Sequence, residues 1–123
     1  MEDLKERTRH FALDVIRVCP KLPHAEDFRV LTRQLLRAAT SVGANYRAAC
    51  RAKSRADFIS KVATVEEEAD ECTYWLDLLL AIPSDGNLKP NRGVQQELLR
   101  LRQEANELTA IMVSSRKTAR RNK

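Results

Sequence analysis

Between Phe28 and Ala49 one set of positions returns at alternating steps of three and four: Phe28, Leu31, Leu35, Ala38, Val42, Asn45 and Ala49. That rhythm constrains the chain more than any other feature. An α-helix turns once in 3.6 residues, so such positions form one nearly straight stripe, whereas a half-buried strand needs apolar residues at every second position. A stripe of this kind packs against other helices at shallow angles. The rhythm recurs as Phe58, Val62, Val65, Ala69, Cys72, Leu76 and Leu79, and again as Val94, Leu98, Leu101, Ala105, Leu108 and Met112. A shorter stripe of Leu4, Phe11, Val15 and Val18 opens the chain.

The helix breakers fall between the stripes. Pro20-Lys21-Leu22-Pro23 stops the first helix, expected over about Asp3 to Cys19, because proline cannot continue a helix. The second is expected from about Ala25 to Arg51, with Gly43 among Ala38, Ala39, Ala44, Ala48 and Ala49 thinning its second half for close helix approach. Ser54 followed by Asp57 resembles a capping box and starts the third, which ends at Pro83 before the turn residues Ser84-Asp85-Gly86-Asn87. The fourth begins between Pro90 and Gly93 and reaches about Lys117. Each of the last three is roughly 25 residues, or about 40 Å long. Short connections force successive helices antiparallel, which predicts an all-α, up-down-up-down four-helix bundle. Residues 1–118 are expected as one domain and 119–123 as a fraying basic tail.

Composition narrows the chemistry. Three glycines in 123 residues rule out a glycine-rich phosphate cradle, and there is no GxSxG or P-loop motif and no Cys with a nearby His. No enzyme activity and no cofactor are therefore expected. Cys19, Cys50 and Cys72 form no CxxC pair, and His10 and His24 lie outside ligand spacing with them, so the cysteines read as small core or interface hydrophobes. The charged start, Met1 to Glu6, is not a secretory signal, and the longest apolar run, Leu78 to Pro83, is too short to cross a bilayer. A cytoplasmic location without membrane contact is the expectation.

Several polar residues lie on or beside the stripes. Asn45 is on one, with Gln34 and Ser41 in the neighbouring row. Glu68 shares a face with Val65, Cys72 and Trp75, and Glu104 sits between Leu101, Leu108 and Ile111. Glu71 and Glu107 flank them. A carboxylate-bridged dimetal site needs Glu-x-x-His on two helices, and no histidine follows His24. The structural reading is that these acids meet arginines of the second helix, or Ser41 and Asn45, across the bundle or across a subunit interface, since a half-buried carboxylate without a partner is costly.

The formal net charge of +5 is unevenly placed. Arg116, Lys117, Arg120, Arg121 and Lys123 close the chain with no acid among them. From Arg29 to Lys61 the chain is basic apart from Asp57, and from Val62 to Leu80 it is acidic, which suggests pairing of the second and third helices within or between subunits. Arg47, Arg51, Lys53 and Arg55 cluster near Tyr46 at the turn between these helices. They are either solvated helix ends or, with Arg116, Lys117, Arg120 and Arg121, a patch that holds phosphates of RNA or DNA.

The stretch Ser41-Val42-Gly43-Ala44-Asn45-Tyr46-Arg47-Ala48-Ala49 resembles the four helix bundle protein family, also known as the ribosomal protein S23 family or the proteins of intervening sequences in bacterial 23S ribosomal RNA. So do Ser54 to Lys61, Glu68-Ala69-Asp70-Glu71, Tyr74 to Leu79, Glu104 to Leu108 and Ser115 to Ala119. The likeness covers nearly the whole chain in order. It departs at Ala48-Ala49, where the family commonly carries an acid. The resemblance implies a left-handed antiparallel bundle and a homo-oligomer, in the form of a five-subunit ring. It also implies kinship with the accessory proteins of diversity-generating retroelements, which work with nucleic acid through a basic surface. These expectations define an oligomeric scaffold that binds nucleic acid or nucleoprotein, with a protein-protein interaction module lacking nucleic-acid affinity as the alternative.

Overall fold

The computed structural model describes residues 3–82 and 90–122. Pro83 and the turn expected at Ser84 to Asn87 lie outside the described residues, as does Lys123. Four α-helices form, α1 (Leu4–Val18), α2 (Glu26–Ala49), α3 (Arg55–Ala81) and α4 (Arg92–Arg121), with a turn of 3₁₀-helix at Cys19–Lys21 after α1. No strand occurs among the described residues.

Local chemistry explains the boundaries. Asp3 caps α1 by accepting the Lys5 N–H at 2.9 Å. Pro20 does not stop the chain abruptly. It opens the 3₁₀ turn, where its missing N–H costs nothing, and Leu22 then folds back into the core. Glu26 and Asp27 lie at the N-terminus of α2 and Arg47 in its last turn, each on the side that the helix dipole favours. Ser54 accepts the Asp57 N–H at 3.1 Å, while Asp57 reaches back to the Lys53 N–H at 3.0 Å rather than to that of Ser54. Asn91 caps α4 by accepting the Val94 N–H at 2.9 Å.

α4 continues past Lys117, so the segment expected to fray is helical as far as Arg121. Ala, Arg and Lys are good helix formers, and cations in a last turn favour its orphan carbonyls.

The helices pack as neighbours in the order α1–α2–α3–α4–α1. Their pairing is antiparallel. Glu66, Thr73 and Asp77 of α3 meet Arg116, Asn106 and Arg102 of α4, so one number rises as the other falls. Arg7 and Asp14 of α1 likewise meet Glu104 and Arg100 of α4. The core is built from the periodic stripes. Phe11, Val15 and Val18 pack with Phe28, Leu35, Ala38 and Val42, and with the whole α3 and α4 series from Val62 to Leu79 and Val94 to Met112. Leu31, Asn45 and Phe58 are only partly buried at the margins. Thr8 is the one fully buried polar side chain among the described residues, and its hydroxyl donates to its own helix at Leu4 O, 2.8 Å away.

Trp75 does not share the deep burial of Val65 and Cys72. It is half-buried at the rim, where its indole N–H can find a partner, and Tyr74 beside it is 56% exposed. Of the cysteines, Cys72 is buried, Cys19 partly buried and Cys50 exposed, so Cys50 is no core hydrophobe.

Gly43 brings α2 close to the backbone of α1. A Cβ added there would lie 3.6 Å from the Thr8 carbonyl oxygen, an ordinary van der Waals contact, and no residue described has a positive φ. Gly43→Ala is therefore expected to raise stability by about 0.5–1 kcal/mol through helix propensity. A lower melting temperature would show that the helices need the bare backbone.

Candidate functional site

The acids predicted near the stripes all meet arginines. Arg37 of α2 donates to Glu68 at 3.1 Å and to Glu71 of α3, and Glu71 Oε1 also accepts the Trp75 indole N–H at 3.1 Å. Glu104 and Glu107 find a partner the sequence reading did not name. Arg7 of α1 grips Glu104 through two bonds of 2.8 and 2.7 Å and reaches Glu107 at 3.0 Å. Arg7 and Glu104 are both largely buried, a setting in which removing one partner strands the other charge. Bonds from Gln103 and then Arg7 hold the Glu107 carboxyl below its ordinary value. Asn45 does not reach across the bundle; its amide donates to the Ser41 carbonyl on its own helix at 2.8 Å. Burial pushes the Cys19 thiol up to about 11 and holds the Cys72 thiol protonated, Glu68 and Glu71 adding to the latter. Neither is poised as a nucleophile.

The basic candidates divide into two groups. Arg116 turns inward and donates to Glu66 at 2.9 Å, with both side chains mostly covered. Arg47, Arg51, Lys53, Arg55, Lys117, Arg120 and Arg121 are exposed. No ion pair joins any of these seven side chains to a described carboxylate.

Topology places that second group together. The antiparallel order sets the α2 C-terminus, the α3 N-terminus and the α4 C-terminus at one end of the bundle, with the α1 N-terminus beside them. There Lys5 and Arg9 of α1 join Arg47 and Arg51 along a groove of about 490 Å³ between α1 and α2, which also holds Glu6. Lys5 and Arg9 were not singled out in the sequence. Their spacing of four was visible, but the facing of α1 on the second half of α2 shows only in three dimensions, with Gly43 as its one advance sign.

Residues 3–114 match the sequence profile of the family described as 23S rRNA-intervening sequence protein. The chain belongs to that family. It is also similar to a protein of unknown function from the S23 ribosomal protein family of Bacteroides thetaiotaomicron VPI-5482, solved at 1.70 Å. The two are 30% identical, the match covers 94% of this chain and 99% of the other, and the TM-score is 0.77. No curated protein matches the chain by sequence. The family profile ends before Ser115, so Lys117, Arg120 and Arg121 lie beyond the matched region, whereas the α1–α2 groove falls inside it. Among the described residues of this family member, no His, Cys, Asp and Glu group is placed to hold a metal, and no helix is long and apolar enough to cross a membrane.

The turn that carries Lys53 and Arg55 is fixed by Asp57. Its carboxyl is held below the ordinary value of 3.8 by the bond from Lys61 and then by that from the Lys53 backbone. A depressed carboxyl stabilises the fold above its unfolded pKa, and that stability is lost as pH falls through the folded value. Asp57→Asn should therefore lower the melting temperature at neutral pH, with the gap to wild type closing in acid. A pH-independent gap would assign Asp57 a packing role instead.

Proposed function

We propose that this family member is a non-enzymatic, oligomeric helical-bundle scaffold that binds nucleic acid electrostatically through the basic end of the bundle. One observation supports the reading above the rest. Ion pairs within the chain engage most of the described carboxylates, yet Arg47, Arg51, Lys53, Arg55, Lys117, Arg120 and Arg121 at that end pair with no described carboxylate, while Arg9 stands 3.9 Å from Glu6. Phosphates are the natural counter-charge for such a surface. Arg116 drops out of the binding set because Glu66 holds it, and Lys5 and Arg9 enter.

Self-association draws on a different surface. Glu67 and Asp70 have no ion pair among the described residues, and they share an outward face of α3 with exposed Tyr74. An acidic strip that ends in an exposed aromatic suits contact with a basic face of another copy. Five copies is the number that the family resemblance implies.

Light scattering at low and high salt, with and without a short mixed-sequence RNA, tests both parts. A ring-sized assembly that gains mass with RNA at low salt alone supports the proposal. A ring indifferent to RNA replaces it with the protein-protein interaction module, and a monomer at every salt removes the oligomer. Substitutions sort the arginines. Arg120→Ala with Arg121→Ala should flatten the dependence of log K on log salt. Arg116→Ala should leave that slope unchanged and cost about 1–2 kcal/mol of stability.

A further inference from the structure

Resting on that reading, we infer that the groove between α1 and α2 is a seat for the sugar-phosphate backbone of a single strand, not of a duplex. Four cations border it among the described residues. Lys5 and Arg9 lie one turn apart on α1, and opposite them stand Arg47 in the last turn of α2 and Arg51 in the turn that follows that helix. The helices run antiparallel, so the two pairs form opposing rows with the groove between them. One helical turn is about 5.4 Å, a rise comparable to the step between successive phosphates of an extended strand. Two neighbouring phosphates can thus each meet a cation from either wall.

The floor gives the selectivity. Ala12, Gly43 and Ala44 are small, and the backbones of α1 and α2 approach closely at Gly43 and Thr8. Long cationic side chains therefore stand over a low floor only one helix-to-helix spacing wide, about 8–10 Å between axes. A lone backbone can settle onto such a floor with a sugar against the alanine methyls. A duplex presents a broad convex cylinder, which rides on the rim and brings at most one strand near the cations. No aromatic side chain lines the groove among the described residues, so bases do not stack there and the seat is indifferent to sequence. Glu6 is the one carboxylate among the described lining residues; it lies 3.9 Å from Arg9, whose side chain is 62% exposed and free to turn toward a phosphate.

The test compares a fluorescein-labelled single-stranded DNA oligonucleotide with a blunt duplex of the same sequence, on the full chain at low salt. Ala44 is exposed, so Ala44→Leu fills the floor without changing charge or disturbing the core, and an unchanged melting temperature checks that the fold survives. The inference expects the single strand to bind about tenfold more tightly than the duplex. It expects Ala44→Leu to remove that advantage, and Arg47→Ala with Arg51→Ala to flatten the single-strand salt slope by about 0.7 for each phosphate lost. Equal affinity for the duplex, or single-strand binding untouched by Ala44→Leu, overturns the groove seat and leaves the basic end standing as a general polyanion surface. Failure of both oligonucleotides to bind at low salt overturns the groove seat and the nucleic-acid reading together.

Discussion

The aliphatic seam shared by α2, α3 and α4 is the constraint from which the rest of the molecule follows. Leu35, Ala38 and Val42 meet Val62 to Leu79 on one side, and that same α3 stripe meets Val94 to Met112 on the other. Each stripe is nearly parallel to its helix axis, so the helices lie alongside one another for most of their length rather than crossing. Because the stripes carry so few aromatics, the seam is thin and the helix surfaces come close enough for arginine to span from one to the next. Apolar packing sets the spacing, and the ion pairs then act at a distance already fixed for them.

Those pairs are arranged by register. Arg37 with Glu68 and Glu71, Arg7 with Glu104 and Glu107, Arg100 with Asp14 and Arg116 with Glu66 each join two helices at matching heights. A slip of one turn between two helices joined in this way would break their ion pairs. Pairs of this kind add modest stability and strong specificity. They also decide the surface, because a cation engaged inside the bundle is not offered outside it.

The stripes were legible in the sequence because helical period is a local property, and every α4 stripe position from Val94 to Met112 is buried. The cap at Ser54 and the start of α4 between Pro90 and Gly93 were legible for the same reason, whereas the capping role of Asn91 shows only in the structure. What could not be read was which helix face meets which. Glu104 was recognisable as an acid that needs a partner, but Arg7 lies 97 residues away and only the antiparallel fit of α1 on α4 joins them. Asn45 sat on a stripe and read as a partner for a distant acid, yet its amide finds a carbonyl one turn back, the shorter solution. Arg116 looked like the start of a free tail because its composition is basic, whereas the continuing helix aims it at Glu66. Local pattern thus located the elements, and the assignment of each charge to the interior or the surface waited on packing.

The helices differ in length, and this has a consequence for local opening. α1 spans 15 residues and α4 spans 30. The register of Arg7 with Glu104 and Glu107 brings the first turn of α1 near Ile111, so the last turns of α4 outrun α1 and lie against α3. In hydrogen-exchange terms the bundle is graded along its axis, and the amides around Thr118 to Arg121 open at a lower free energy than those around Leu101. Lys117, Arg120 and Arg121, three of the seven exposed cations without an ion pair, thus sit on the part of α4 that α1 does not cover. A polyanion seated there would damp that motion as well as neutralise the charge, and slower amide exchange in the final turns of α4 would register the contact even where no backbone atom changes position.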